Sequence, residues 1–146
     1  MMLLVKPLKV DVDIRAGSWT KFLPKADDIC CAATTAAIEA AGVCETNLEV
    51  SIVLADDIFI QSLNKLWRQQ DVPTNVLAFP CENPDRVDGK IRLLGDIVVA
   101  DGVVKKEALE KRKPVADHLA HMVVHGALHL LGYNHVSDEG AREMEG

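Results

Sequence analysis

Five histidines occur in the chain, and the segment His125-Gly126-Ala127-Leu128-His129-Leu130-Leu131-Gly132-Tyr133-Asn134-His135 spaces three of them for chemistry. Residues four apart share a helical face, so His125 and His129 can direct their rings at one ion. Gly132 suits a left-handed turn that ends a helix, after which the chain can double back and present His135 as a third ligand. Three neutral imidazoles with a fourth position left open are the ligand set of catalytic rather than structural zinc. The segment therefore predicts one Zn2+ per chain and a metal-dependent hydrolase. Imidazole also accepts copper, nickel or iron, so the spacing specifies a metal site before it specifies zinc.

Geometry chooses among the histidines. His121, His125 and His129 form a stripe, but its ends lie about 12 Å apart along a helix axis, too far for one ion with bonds of about 2 Å. His118 and His121 are accordingly read as core or surface residues. Metzincin proteases carry H-E-x-x-H-x-x-G-x-x-H. The chain matches the histidines and the glycine, but Gly126 stands where the glutamate would be. That glutamate is the protease's general base, so its loss keeps the metal and removes the proton acceptor. Peptide hydrolysis of the standard kind is disfavoured, and Met144 is read as packing rather than as a metzincin methionine turn.

The elements that must position these residues follow from periodicity. Leu8, Val10, Val12 and Ile14 alternate with polar residues, the mark of a half-buried strand. The alanine-rich stretch from about Thr20 to Ala41 predicts one helix stopped by Gly42. Leu48 to Leu54 is a β-branched run and a second strand. Asp56 is placed to cap a helix through about Trp67, with Ile60, Leu63 and Trp67 on one face. Pro73 cannot continue that helix. Val76 to Phe79 is a third strand, Pro80 to Lys90 is turn-rich, and Leu93 to Ala100 is a fourth strand interrupted at Gly95 and Asp96. Asp101 to Arg112 predicts a helix, Pro114 opens another reaching about Leu131, and Ser137 could cap a last one. Four strands and about five helices predict an α/β fold, a single domain over 1–146 built on a small mixed sheet.

Composition limits the function classes. With 146 residues, 49% hydrophobic and 26% charged, the chain is an ordinary globular domain able to bury a core. The apolar start Met1 to Val5 is cut off by Lys6, Pro7 and Lys9, too short for a signal peptide, and no run approaches the roughly 20 apolar residues of a membrane span. The four cysteines form no C-x-x-C pair and are read as reduced thiols. A cytoplasmic location is expected. The formal charge of −6 opposes nucleic acid, so any such role needs a local basic track. Candidates are Lys65 with Arg68, Lys90 with Arg92, and Lys105, Lys106, Lys111, Arg112 and Lys113.

Two motifs together resemble the YbeY family, bacterial metal-dependent endoribonucleases linked to ribosomal RNA maturation. One is the histidine segment. The other is Leu63-Asn64 followed by Trp67-Arg68 and then Asp71-Val72-Pro73-Thr74-Asn75-Val76-Leu77-Ala78-Phe79-Pro80, and Leu94-Gly95-Asp96-Ile97-Val98 also fits. The resemblance implies a small α/β fold, zinc held by His125, His129 and His135, and an arginine at the place of Arg68 needed for activity. A guanidinium presents a rigid fork of donors suited to a phosphate and to the charge that gathers on it. Asn134 stands where the family usually has aspartate, which is expected to tune the site. The family's last helix tends to run past the position of Gly146, so a trimmed C-terminus is expected.

The resemblance implies a zinc-dependent endoribonuclease acting on single-stranded RNA in ribosomal RNA processing and ribosome quality control. Its implied partners are ribosomal RNA and the small ribosomal subunit or its proteins, with no DNA and no membrane. Glu82, Asp71 and Asp96 are candidates for a general base by chemistry only. Two other readings stand beside it: a metal hydrolase of peptides or small esters, and a non-catalytic ribosome-associated factor.

Overall fold

The computed structural model describes residues 8–16, 18–42, 47–81 and 92–133. Strands β1 (Leu8–Ile14), β2 (Leu48–Ala55), β3 (Val76–Pro80) and β4 (Arg92–Ala100) form one sheet in the order β1-β2-β4-β3. The first three in that order run parallel, and β3 lies antiparallel to β4 at the edge. Helices α1 (Ser18–Phe22), α2 (Ala26–Ala40), α3 (Asp57–Arg68), α4 (Asp101–Glu110) and α5 (Val115–Leu128) complete the mixed α/β fold that the sequence predicts.

Side-chain alternation divides the sheet into two faces. Ile52, Leu54, Ile97 and Val99 join Cys30, Ala33 and Ala37 of α2 and Leu119, Val123 and Ala127 of α5 in the larger core. Ala55, Leu77, Val98 and Ala100 point the other way and bury Ile60 of α3. The residues Ala26, Cys30, Ala33 and Ala37 fall on one stripe of α2, where small side chains let the helix lie close to its neighbours. Thus α5 covers one face of the sheet and α3 the other.

Local chemistry sets the departures from the predicted elements. The single helix expected from Thr20 to Ala41 is two, broken at residues 23–25. Pro24 has no backbone N–H to donate and disfavours helical backbone before it. The break lets Trp19 turn fully inward and donate its indole N–H to the Ala55 carbonyl at 2.8 Å. The expected interruption at Gly95 and Asp96 is a bulge inside a continuous strand: Glu49 faces Leu93, Val50 faces Gly95, and Leu94 is the extra residue. Gly95 has φ +146°, and a Cβ there would meet the Phe79 carbonyl, Leu130 Cδ2 at 2.8 Å and Pro80 Cα at 2.9 Å. The helix after Asp101 ends at Glu110, two residues early, in a turn where Arg112 has φ 56°. Asp56 caps α3 as expected, accepting from the Phe59 N–H at 2.8 Å. The turn-rich segment after Cys81 and the helix expected after Ser137 lie outside the described residues, as does Cys44. No helix among the described residues is long and apolar enough to cross a membrane.

Candidate metal centre and phosphate contact

Helix α5 faces the sheet with His118, Leu119, Met122, Val123, Gly126 and Ala127, all buried. These positions recur at three and four residues, the spacing of one helical face. His125 and His129 lie on the flank of that face and are half-buried, one above the other. The α-helix ends at Leu128 and widens into a turn over His129–Tyr133 rather than running on to Leu131. Gly132 breaks it with φ +97°, the left-handed conformation its place in the sequence predicts. Leu130 is buried against the bulge at Gly95.

His135, the third predicted ligand, lies outside the described residues. Among the described residues no three metal-binding side chains converge. The donor set nonetheless suits a metal on the described part: two imidazoles one helical turn apart, at the rim of the core, ahead of a left-handed glycine. A carboxylate is absent from position 126 for a visible reason. A Cβ on Gly126 would lie 2.9 Å from Ile97 Cγ2 and 3.2 Å from its Cγ1 and Cδ1. The helix rests on the sheet at this residue, and there is no room for a side chain.

The other two histidines separate. His121 is exposed, with Nδ1 3.4 Å from Lys113 Nζ. Partial burial, then the charges of Lys113, His118, His125 and Lys111, lower its pKa. His118 is fully buried, and its Nε2 lies 2.8 Å from Glu107 Oε1. Glu107 in turn accepts from Asn75 Nδ2 at 3.0 and 3.3 Å. Burial alone would raise the Glu107 carboxyl, but hydrogen bonds from His118 and Asn75 and the charges of His118 and Lys111 hold it below its ordinary value. Helices α4 and α5 are thereby tied to the loop that begins β3. Sequence reasoning missed Glu107, because nothing near it along the chain announces a partner on another helix.

Arg68 is the last residue of α3. It is exposed, and among the described residues it forms no ion pair. Gln69 takes the left-handed conformation (φ 58°) and turns the chain back along α3. Asn64, buried, donates from Nδ2 to the Val72 carbonyl at 2.9 Å. Gln61 Nε2 reaches Asp71 Oδ1 at 3.0 Å, and Lys65 Nζ lies 3.9 Å from Asp71 Oδ2. The motif residues Asn64 and Asp71 therefore shape the loop behind Arg68, and Asp71 is already engaged as a structural acceptor. Asp96 faces Phe79 across the β3–β4 pair, with its carboxyl pKa raised by burial. Glu82 lies outside the described residues.

Arg68 and the histidines belong to helices on opposite faces of the sheet, yet both approach the same end of the edge strand. The ring of Phe79 contacts Trp67 at 6.1 Å between centroids, while its carbonyl lies at Gly95, beside Leu130. An extended ligand passing the end of β3 would meet α3 on one side and the turn after His129 on the other.

Comparison with known proteins gives a consistent result. A family profile described as Endoribonuclease YbeY matches residues 20–146. A protein of Paramagnetospirillum magneticum named Endoribonuclease YbeY is 44% identical over 141 residues, covering 94% of this chain and 86% of the relative. One of the same name from Azorhizobium caulinodans is 45% identical over 140 residues with the same coverage, 94% and 86%. The solution structure of TM1509 from Thermotoga maritima superposes with a TM-score of 0.54 at 27% identity, covering 85% of this chain and 73% of that one.

Proposed function

The chain belongs to the YbeY family, and we propose that it is a zinc-dependent endoribonuclease that cuts single-stranded RNA during ribosomal RNA maturation and ribosome quality control in the cytoplasm. The observation that carries this reading is the pairing of His125 and His129 on one face of α5, closed by left-handed Gly132, at the strand end that Arg68 approaches from the other side. His125, His129 and His135 would hold the ion. Bound there, zinc supplies Lewis-acid polarisation of a phosphoryl oxygen.

The chain's own groups do the rest. Arg68, free of carboxylate partners among the described residues, binds a phosphate through its planar fork and stabilises the charge that develops on it. The clamp of Asn64 and Gln61 on the 69–75 loop fixes where α3 stops and hence where that guanidinium starts. Glu107, bonded to both Asn75 and His118, sets the loop against α5. Asp96, on the face of β4 that α3 covers and with its carboxyl pKa raised by partial burial, is the carboxyl we assign to move a proton. Peptide hydrolysis is disfavoured because the position of a protease's base is a glycine packed on Ile97. The partners that fit are ribosomal RNA and the small ribosomal subunit.

The test is cleavage of a single-stranded RNA by metal-loaded protein, with elemental analysis of the same sample. Arg68→Ala should lower the rate about 10²- to 10³-fold, as removal of one charge-stabilising donor does, and His129→Ala should abolish both cleavage and stoichiometric zinc. Full activity in a sample without bound metal would end the proposal. Cleavage of a peptide but not RNA would favour the hydrolase alternative, and ribosome binding without cleavage would favour a non-catalytic factor.

A further inference from the structure

We infer that Trp67, braced by Phe79, is a stacking platform for an unpaired base of the RNA whose phosphate Arg68 holds, and that it makes the site selective for single strands. The inference rests on the endoribonuclease reading and names how that site grips its substrate. The two tryptophans of the chain differ sharply. Trp19 is fully buried with its indole N–H bonded to Ala55. Trp67 is 63% exposed, and among the described residues it makes no hydrogen bond. A tryptophan left this open at the end of a helix forgoes most of the burial it could have.

The ring is nonetheless held. Its edge contact with Phe79, 61° between planes, leaves much of the indole surface open to solvent. Leu66 and Val72, close to it along the chain, are exposed as well. Arg68 is the next residue, about 100° further round the helix, so an exposed aromatic ring and an exposed cation without an ion pair among the described residues share the last turn of α3. A nucleotide offers the complement, a flat π-face joined to an anion.

Charge gives the stacking its use. The chain carries −6 overall, and Lys65, two residues before Trp67, lies 3.9 Å from Asp71. An aromatic stack adds grip on a nucleotide that does not depend on neutralising phosphates. Stacking on an aromatic side chain requires a base free of its own neighbours, which a duplex does not offer. Discrimination against paired RNA follows from the same contact.

The experiment uses the full-length metal-loaded protein with a short single-stranded oligoribonucleotide and its duplex. Removing one base–aromatic stack corresponds to about a 5- to 150-fold loss. Trp67→Ala should raise KM for the single strand by that factor, with kcat changing far less, and Trp67→Phe should restore most of it. Trp67→Leu, apolar but without a π-face, should resemble alanine. Single-strand binding should quench the fluorescence of the wild type, and the residual emission of Trp67→Phe, which comes from buried Trp19, should not respond. An unchanged KM in Trp67→Ala, equal rescue by leucine and phenylalanine, or no quenching would overturn the inference, including the case in which a protein partner covers this surface. If the wild type cuts no RNA, the functional reading fails by itself. Quenching then still decides the platform: single-strand quenching lost in Trp67→Phe upholds it, and none overturns it.

Discussion

Replacing Gly126 with alanine opposes two effects of known size. Alanine in a helix interior is favoured over glycine by about 1 kcal/mol. Against that, the new Cβ would sit 2.9 Å from Ile97 Cγ2 and 3.2 Å from Cγ1 and Cδ1, where unstrained carbon atoms stand about 3.5–4.0 Å apart. Ile97 is fully buried in a central strand and cannot swing aside. Overpacking of this kind costs about 1–3 kcal/mol, so Gly126→Ala alone should lose up to about 2 kcal/mol. Ile97→Ala removes all three clashing atoms at its own cost of about 2–5 kcal/mol. In that background Gly126→Ala should gain the helix propensity and about 0.8 kcal/mol for a buried methyl. The double-mutant cycle should therefore show a coupling of about 1–4 kcal/mol. Ile97→Val, which deletes only Cδ1, should couple less. Urea unfolding followed by circular dichroism in the presence of a chelator reads this without a contribution from bound metal. A coupling within about 0.5 kcal/mol of zero would refute the close approach of α5 to the sheet.

Three further outcomes follow from the same contacts. Gly132 has nothing within 4 Å of a would-be Cβ but a φ of +97°, so Gly132→Ala should cost about 1–2 kcal/mol through backbone strain alone, and no truncation of a neighbour should rescue it. Glu107 has its pKa lowered in the folded protein by His118 and Asn75, so its contribution is present above the unfolded value, near 4.5, and lost as pH falls through the folded value. Glu107→Gln should thus cost about 1–3 kcal/mol at neutral pH, and the gap in urea midpoints from wild type should close below that region; a gap constant with pH would refute the linkage. Asn64→Ala removes the bond to the Val72 carbonyl and should cost about 1–3 kcal/mol, while lowering the activity that depends on Arg68 more than the thermal midpoint alone explains.

What was legible in the sequence was whatever has a local cause. Alternation in Leu8–Ile14 and β-branching in Leu48–Ala55 give their strands directly, Asp56 caps the helix it precedes, and Gly132 ends the one it follows. Pro24 carried its signal plainly, yet alanine-rich flanks masked it. The bulge at Leu94 was visible only as a glycine of unknown purpose, because its cause is the approach of Phe79 and Leu130 from elsewhere in the chain. Helical spacing sufficed to place His125 and His129 one turn apart on a flank of α5. The partners of His118 could not be read this way, since Glu107 and Asn75 reach it from a separate helix and a separate loop.

The same distinction changes the meaning of Gly126. In the sequence it is a missing glutamate, an absence that argues against a protease. In the structure it is the contact that seats α5 on β4, one residue from His125 and three from His129. Gly126→Glu should therefore create no peptidase. The larger side chain would have to displace Ile97 or lift the helix, and lifting the helix would carry both imidazoles with it. The proton acceptor must come from another direction. Asp96 is the next residue along β4 from Ile97 but points to the opposite face, towards the side of Trp67 and Arg68. If that carboxyl moves a proton in the reaction, Asp96→Asn should lower kcat and remove the acid limb of the pH–rate profile, while zinc content stays stoichiometric. Loss of zinc together with activity would place Asp96 in support of the metal instead.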